Sequence, residues 1–116
     1  MTRLPEAQHA IIDEAKLRSY LLSDVHPAGR TKAAFLRAFG FRARYRRRLP
    51  DALSEHARTA PVVASVDTDF ERKYILEGSL AAPDGRKPVI RSVWFIERGA
   101  DGPRLVTAYP ALGVRG

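Results

Sequence analysis

The chain has 116 residues, of which 45% are hydrophobic and 28% are charged, and this composition excludes an intrinsically disordered protein and favours one globular domain. It contains no cysteine, which excludes a disulfide framework and a thiolate metal site. The formal net charge of +7 points to a negatively charged partner.

The first half of the chain carries helical patterns. Asp13 can cap a helix over Glu14–Leu22. A second helix is predicted over Arg30–Phe39, because its apolar residues fall on one face and Gly40 follows at the position of a C-terminal cap. A third helix is predicted over Pro50–Arg58, with proline in its first turn.

After Pro61 the pattern changes from helical to β. Four strands are predicted, at Val62–Val66, Lys73–Ala81, Val89–Glu97 and Arg104–Tyr109. The sequence Pro83-Asp84-Gly85-Arg86 has the composition of a turn, and short connections between successive strands predict an antiparallel meander. The predicted fold class is α+β, in a single domain over residues 1–116, with two to three N-terminal helices followed by a four-stranded antiparallel β-meander.

Alternation along the last two strands assigns side chains to the two faces of the sheet. Ser92 and Trp94 share a face of the third strand, and Trp94 is interpreted as a core residue. In the fourth strand, Leu105, Thr107 and Tyr109 are predicted to share a face. Hydroxyl groups repeated on a sheet either satisfy internal hydrogen bonds or line a phosphate site, and the register between the strands decides which.

The positive charge is concentrated between Val25 and Pro50, a segment without any acidic residue. Its cations are Arg30, Lys32, Arg37, Arg42, Arg44, Arg46, Arg47 and Arg48. The guanidinium group forks onto phosphate and stacks on bases, so a local cluster of this kind is the electrostatic footprint expected of a nucleic-acid-binding surface.

The chain has three histidines, and their separations match no metal motif, so neither a metal nor another cofactor is predicted. His26 lies in a loop before Pro27, at the entrance of the basic segment, and Lys32 follows in the first turn of the second predicted helix. Each of these two residues also has an interpretation without a catalytic role. His26 is then a solvent histidine that caps the first helix, and Lys32 belongs to a solvated helix surface.

Three motifs in this order resemble a bacterial domain family that occurs as the C-terminal tip of polymorphic toxins and as small stand-alone proteins. They are His26-Pro27-x-Gly29-x-x-Lys32-Ala33-x-Phe35, Val93-Trp94 and Pro103-Arg104-Leu105-Val106-Thr107-x-Tyr109-Pro110. The resemblance extends from about residue 10 to residue 110 of the chain. The order of helices and then a four-stranded meander is similar to the barnase/EndoU/RelE-like superfamily of ribonucleases, at the level of the fold.

The resemblance implies a metal-independent ribonuclease toxin, in which the 2′-hydroxyl of the RNA attacks the neighbouring phosphate. The catalytic residues implied are His26, Lys32, Ser92, Thr107 and Tyr109. The RNA-binding residues implied are Arg30, Arg42, Arg44, Arg46, Arg47, Arg48, Arg91 and Arg104. No Glu–His pair of the barnase type is apparent in the sequence, so the general acid and the general base stay unassigned.

Such a toxin requires a neutralising partner, and an acidic antitoxin or immunity protein is expected beside RNA. Two alternatives stay open: a non-catalytic nucleic-acid-binding module, and a protein-interaction domain whose arginines meet an acidic partner. No apolar run approaches the roughly 20 residues of a membrane span. The N-terminus lacks the apolar core of a signal peptide, so a cytoplasmic protein without membrane contact is expected. The oligomeric state cannot be predicted from these patterns.

Overall fold

The computed structural model describes residues 3–13, 40–41 and 48–111. The first of these segments contains a short 3-10 turn, Ala7–His9. One α-helix, α1, spans Arg48–Thr59 and precedes the sheet. The strands are β1 (Val62–Asp67), β2 (Glu71–Ser79), β3 (Val89–Glu97) and β4 (Arg104–Pro110).

The four strands form one antiparallel sheet in the order of the chain, so the predicted meander is confirmed. Between β1 and β2, the hydroxyl of Thr68 accepts hydrogen bonds from the main-chain N–H groups of Phe70 and Glu71, at 3.3 and 3.0 Å. Between β2 and β3, Oδ1 of Asp84 accepts a hydrogen bond from N of Arg86 at 2.9 Å. Gly85 has a φ of 90°, a left-handed conformation that glycine adopts without steric cost, and the turn predicted here is confirmed.

The prediction of two to three N-terminal helices is wrong for the part of the chain that the structure describes. That part has α1 as its one α-helix, and α1 is longer at both ends than the predicted Pro50–Arg58. Before it, Ile11 joins the edge of β4, because its N–H donates to Pro103 O at 2.8 Å and its carbonyl accepts from Leu105 N at 3.0 Å. The helices predicted over Glu14–Leu22 and Arg30–Phe39 lie outside the described residues. Within residues 3–13, 40–41 and 48–111, no helix is both long and apolar enough to cross a membrane.

α1 is amphipathic and packs its apolar side on one face of the sheet, which we call the core face. Leu53 and Ala57 are fully buried there, and each buried leucine contributes about 1.5–3 kcal/mol to stability. The core face contributes Tyr74, Leu76, Ile90, Trp94, Leu105 and Ala108 to the same cluster. Trp94 is 0% exposed, so its interpretation as a core residue is confirmed.

The helix and the sheet approach closely at Gly78. A Cβ atom on Gly78 would lie 2.7 Å from the Cβ of Ala60, the residue after α1, and that is shorter than any ordinary carbon–carbon contact. Glycine at this position in β2 therefore allows the end of α1 to rest on the sheet.

Candidate functional site

The face of the sheet opposite α1, which we call the open face, carries a row of polar side chains across three strands. Glu77 of β2 pairs with Arg91 of β3, and Arg91 pairs with Tyr109 of β4. Directly paired residues project from the same face of an antiparallel sheet, so the three side chains are neighbours. No described element covers them, and all three are partly exposed.

Arg91 stands at the centre of this row and contacts both neighbours. Its Nε donates a hydrogen bond of 2.7 Å to Oε1 of Glu77, and the two side chains are 41% and 23% exposed. The carboxylate of Glu77, followed by the hydroxyl of Tyr109, raises the pKa of Arg91 above its ordinary value. Arg91 is thus a permanent cation on a partly exposed sheet face, held in place from both sides.

Thr107 reaches the same face because β4 contains a β-bulge. Trp94 pairs with Leu105, but the next residue back along β3, Val93, pairs with Thr107, so Val106 is an extra residue in β4. The insertion reverses the alternation between Leu105 and Thr107. Leu105 therefore points into the core, and the prediction that it shares a face with Thr107 is wrong.

Ser92 is not brought together with Thr107 and Tyr109. It pairs with Leu76 and Ala108 on the core face and is 0% exposed. Its hydroxyl accepts a hydrogen bond of 2.8 Å from the indole N–H of Trp94. A buried indole without an acceptor would be destabilising, so Ser92 serves the core in this structure.

Arg104 lies at the far end of the open face. It pairs with Phe95, and its guanidinium forms an ion pair with the carboxylate of Glu97. Phe95 lies four residue steps beyond Arg91 along β3, so the Arg91 and Arg104 positions are separated by about 13 Å in the strand direction. The open face thus carries two separated guanidinium groups, each paired with a glutamate.

Arg48 is on the other side of the sheet. It begins α1 and lines a groove of about 280 Å³ between the helix and the β2–β3 connection, with Asp51, Glu55 and Pro83 among its other walls. The remaining predicted site residues lie outside the described part of the chain, and their roles stay predictions: His26, Arg30, Lys32, Arg42, Arg44, Arg46 and Arg47.

Two residues were missed by sequence reasoning. Glu77 directly follows the apolar run Tyr74–Leu76 of β2, at a strand position where an acid is unusual, and that was the signal available for it. Lys73 shares its face by alternation and pairs with Phe95. Without the register, neither residue could be matched to Arg91 or Arg104.

His56 is a buried histidine of α1 and not a surface base. It is 1% exposed, and its Nδ1 lies 3.2 Å from the carbonyl oxygen of Ser79, which can only accept, so Nδ1 carries the proton. Burial lowers the pKa of His56 below its ordinary value, and the hydrogen bond to Ser79 only partly opposes this. Within the described residues, no group of three or more His, Cys, Asp or Glu side chains has the arrangement of a metal site.

Comparison with known proteins gives a solved structure that shares this fold and a family to which the chain belongs. A solved chain from a contact-dependent growth inhibition toxin–immunity protein complex of Klebsiella pneumoniae 342 superposes with a TM-score of 0.66 at 19% identity, over 93% of this chain and 98% of that one. At this identity the likeness shows a shared fold. No curated protein sequence matches the chain. Residues 3–112 match the family described as "Domain of unknown function (DUF6883)", and the chain belongs to that family.

Proposed function

We propose that this chain is the toxin of a toxin–immunity pair and that it cleaves RNA without a metal at the open face of its sheet. The observation that carries the proposal is the row formed by Glu77, Arg91 and Tyr109, with Thr107 beside it. It combines a fixed cation, a phenol and a hydroxyl on a partly exposed sheet face that no described element covers. These are groups that bind phosphate and stack on bases.

The charge of the chain supports the toxin role over the immunity role. The similar solved structure is described as a toxin–immunity protein complex. That description alone does not decide whether this chain corresponds to the toxin or to the immunity protein. A net charge of +7, concentrated in an acid-free segment, suits a protein that binds RNA. An inhibitor that competes with RNA for a basic toxin would need the opposite sign.

The reaction proposed is transphosphorylation within the RNA. The 2′-oxygen attacks the adjacent phosphorus, the bond from phosphorus to the 5′-oxygen breaks, and a 2′,3′-cyclic phosphate remains. A base must take the proton of the 2′-hydroxyl, an acid must protonate the leaving 5′-oxygen, and cations must stabilise the phosphate oxygens. Protein side chains suffice for these three tasks.

Five residues have proposed roles at the reacting atoms. Arg91 binds the phosphate oxygens, and the hydroxyl of Thr107 donates a further hydrogen bond to them. Tyr109 stacks on a base or donates a proton, and His26 is assigned to proton transfer because an imidazole titrates near neutral pH. Lys32 is a second phosphate ligand in this proposal. Ser92 is left out, because it is buried on the core face.

A comparison of variants on total RNA in EDTA tests the proposal. The parent should leave 2′,3′-cyclic ends, and Arg91→Gln should lower the rate about 100-fold or more, as for loss of one stabiliser of developing charge. Tyr109→Phe tests the phenol in the same assay. Arg58→Gln is the matched control, since it removes one arginine charge from the exposed side of α1 and should leave cleavage unchanged.

Two outcomes would contradict parts of this proposal. Cleavage by Arg91→Gln at the parental rate would remove the open face from the mechanism. Binding of RNA without cleavage, by protein freed of any partner, would favour the alternative of a non-catalytic nucleic-acid-binding module.

A further inference from the structure

The first strand of the sheet is an exposed edge. β1 pairs with β2 on one side, and no described strand pairs with its other side. Residues 63–67 are exposed, with Val63 and Val66 at 50% and 53%. Phe70, in the connection to β2, is 80% exposed. Three of the large hydrophobic side chains exposed on the described surface therefore lie on one hairpin.

The main-chain groups available at this edge follow from the hydrogen-bond pattern. N of Thr68 donates to the carbonyl of Glu71 at 2.8 Å, so this pair is the hydrogen-bonded type. Hydrogen-bonded and non-hydrogen-bonded pairs alternate along an antiparallel ladder. The N–H and C=O groups of Val66 consequently point toward β2, whereas those of Ser65 and Asp67 point away from the sheet.

The edge has few of the features that protect a strand from pairing. Residues 62–66 read Val-Val-Ala-Ser-Val, without lysine, proline or any charge. The one charged residue of β1 is Asp67 at its end, whose Oδ1 lies 3.3 Å from Nε of Arg72. A bulge at Val63 is the one protective irregularity in β1. At the opposite edge, by contrast, Ile11 already occupies part of β4. We infer that β1 is a docking edge, and that its occupant is an extended strand of an acidic protein partner, which adds a fifth strand to the sheet.

The nature of the edge decides which class of partner fits it. A row of outward N–H and C=O groups is satisfied by another polypeptide strand, and the apolar side chains of Val63 and Val66 offer nothing to phosphate. A second copy of this chain would bring another charge of +7 to the interface, whereas an acidic partner is attracted over long range. Charge therefore favours an acidic protein over self-association.

The position of β1 would let such a partner affect the open face. β1 lies two strands from β3, a separation of about 10 Å, and a protein body attached to β1 can overhang Arg91. The inference rests on the proposed function only in naming this partner as the neutralising one. Strand addition is measured as peptide binding, without any RNA cleavage assay. A failure of the docking inference would therefore not imply that the proposed ribonuclease function fails, and the reverse also holds.

The test uses a cyclic β-hairpin peptide whose free strand alternates Val and Glu, with binding followed by fluorescence anisotropy. Ser65→Pro removes an outward N–H, and proline is tolerated on an edge strand at such a position. This variant should bind the peptide about tenfold more weakly or worse. Ser65→Thr keeps the N–H and should bind as the parent does. A peptide with Lys in place of Glu should bind more weakly than the acidic one.

Three results would overturn the inference. One is equal binding by the parent and Ser65→Pro, at matched thermal stability. Another is no binding of the acidic peptide by the parent. The last is a dimer of the chain alone in sedimentation that Ser65→Pro dissociates, which would assign the edge to a second copy. A variant that keeps Ser65 and carries Val63→Glu and Val66→Glu provides an independent disruption, since these substitutions repel the acidic peptide without altering the β1–β2 ladder, and it should bind that peptide more weakly than the parent does.

Discussion

Nε of Arg91 donates a 2.7 Å hydrogen bond to Oε1 of Glu77 on the neighbouring strand. A phosphate that approaches this guanidinium meets a carboxylate already bound to it. In the proposed function, the pairing would order the cation for phosphate, whereas the same carboxylate would repel an RNA substrate. The balance between these two effects is measurable.

Glu77→Gln should tighten RNA binding and slow cleavage. The amide removes a negative charge from the open face, yet it accepts a weaker hydrogen bond from Arg91 and orders it less well. Binding is measured with a 2′-deoxy substrate analogue, which cannot be cleaved, and the rate is measured in single turnovers. Unchanged values for both would mean that the pair stabilises the sheet and takes no part in the site.

Replacing Arg44, Arg46, Arg47 and Arg48 with Gln should weaken RNA binding and flatten its dependence on salt. The slope of log K against log salt is negative, and each phosphate that the protein no longer neutralises reduces its magnitude by roughly 0.7 for a single strand. The measurement is a salt titration of binding affinity. If affinity and slope stay at parental values, the arginine-rich segment is not the RNA-binding surface, and its interpretation as a docking surface for an acidic partner gains.

His26→Ala and Lys32→Ala should each abolish most RNA cleavage while the fold stays intact. Removing a positioned proton-transfer group costs about 10²- to 10⁴-fold in rate. Thr107→Val should cost less, because it removes one neutral hydrogen bond. Cleavage is assayed in EDTA, with thermal unfolding as the check on folding. Parental activity in both alanine variants would exclude the proposed catalytic roles of His26 and Lys32.

Acid should destabilise the protein through His56. Its pKa is lowered in the folded state, so the unfolded chain binds more protons at mildly acidic pH. Its contribution to stability is complete above the unfolded pKa of about 6.5 and decreases as pH falls below it. The slope approaches about 1.4 kcal/mol per pH unit. Urea denaturation between about pH 8 and pH 5 measures it.

His56→Asn provides the comparison for this effect, because its amide can still donate to the carbonyl of Ser79 but does not titrate. It should lose the pH-dependent part of the stability. His9→Asn is the matched control, since the side chain of His9 is 58% exposed. An unaltered pH profile in His56→Asn would show that another group is responsible for acid sensitivity.

Much of the local structure followed from the sequence. β3 has the predicted bounds, and α1, β2 and β4 differ from prediction by one or two residues at their ends. Turn residues such as Asp84 and Gly85 act through their own conformational preferences, so they can be recognised without knowing what surrounds them. Alternation likewise placed Ser92 and Trp94 on one face of β3, but only Trp94 was predicted to be a core residue, and Ser92 is buried beside it. Within residues 3–13, 40–41 and 48–111 the number of helices was overestimated, because these residues hold α1 as their one α-helix.

The candidate site depended on relationships between strands that no local pattern contains. One extra residue, Val106, reversed the face of Leu105 relative to Thr107. The β2–β3 register brought Glu77 to Arg91. By itself the sequence determined a basic chain with a helix and an antiparallel meander, because composition, periodicity and turn chemistry act locally. Only the tertiary structure decided which polar groups meet, because a shift of one residue between strands moves every side chain to the opposite face.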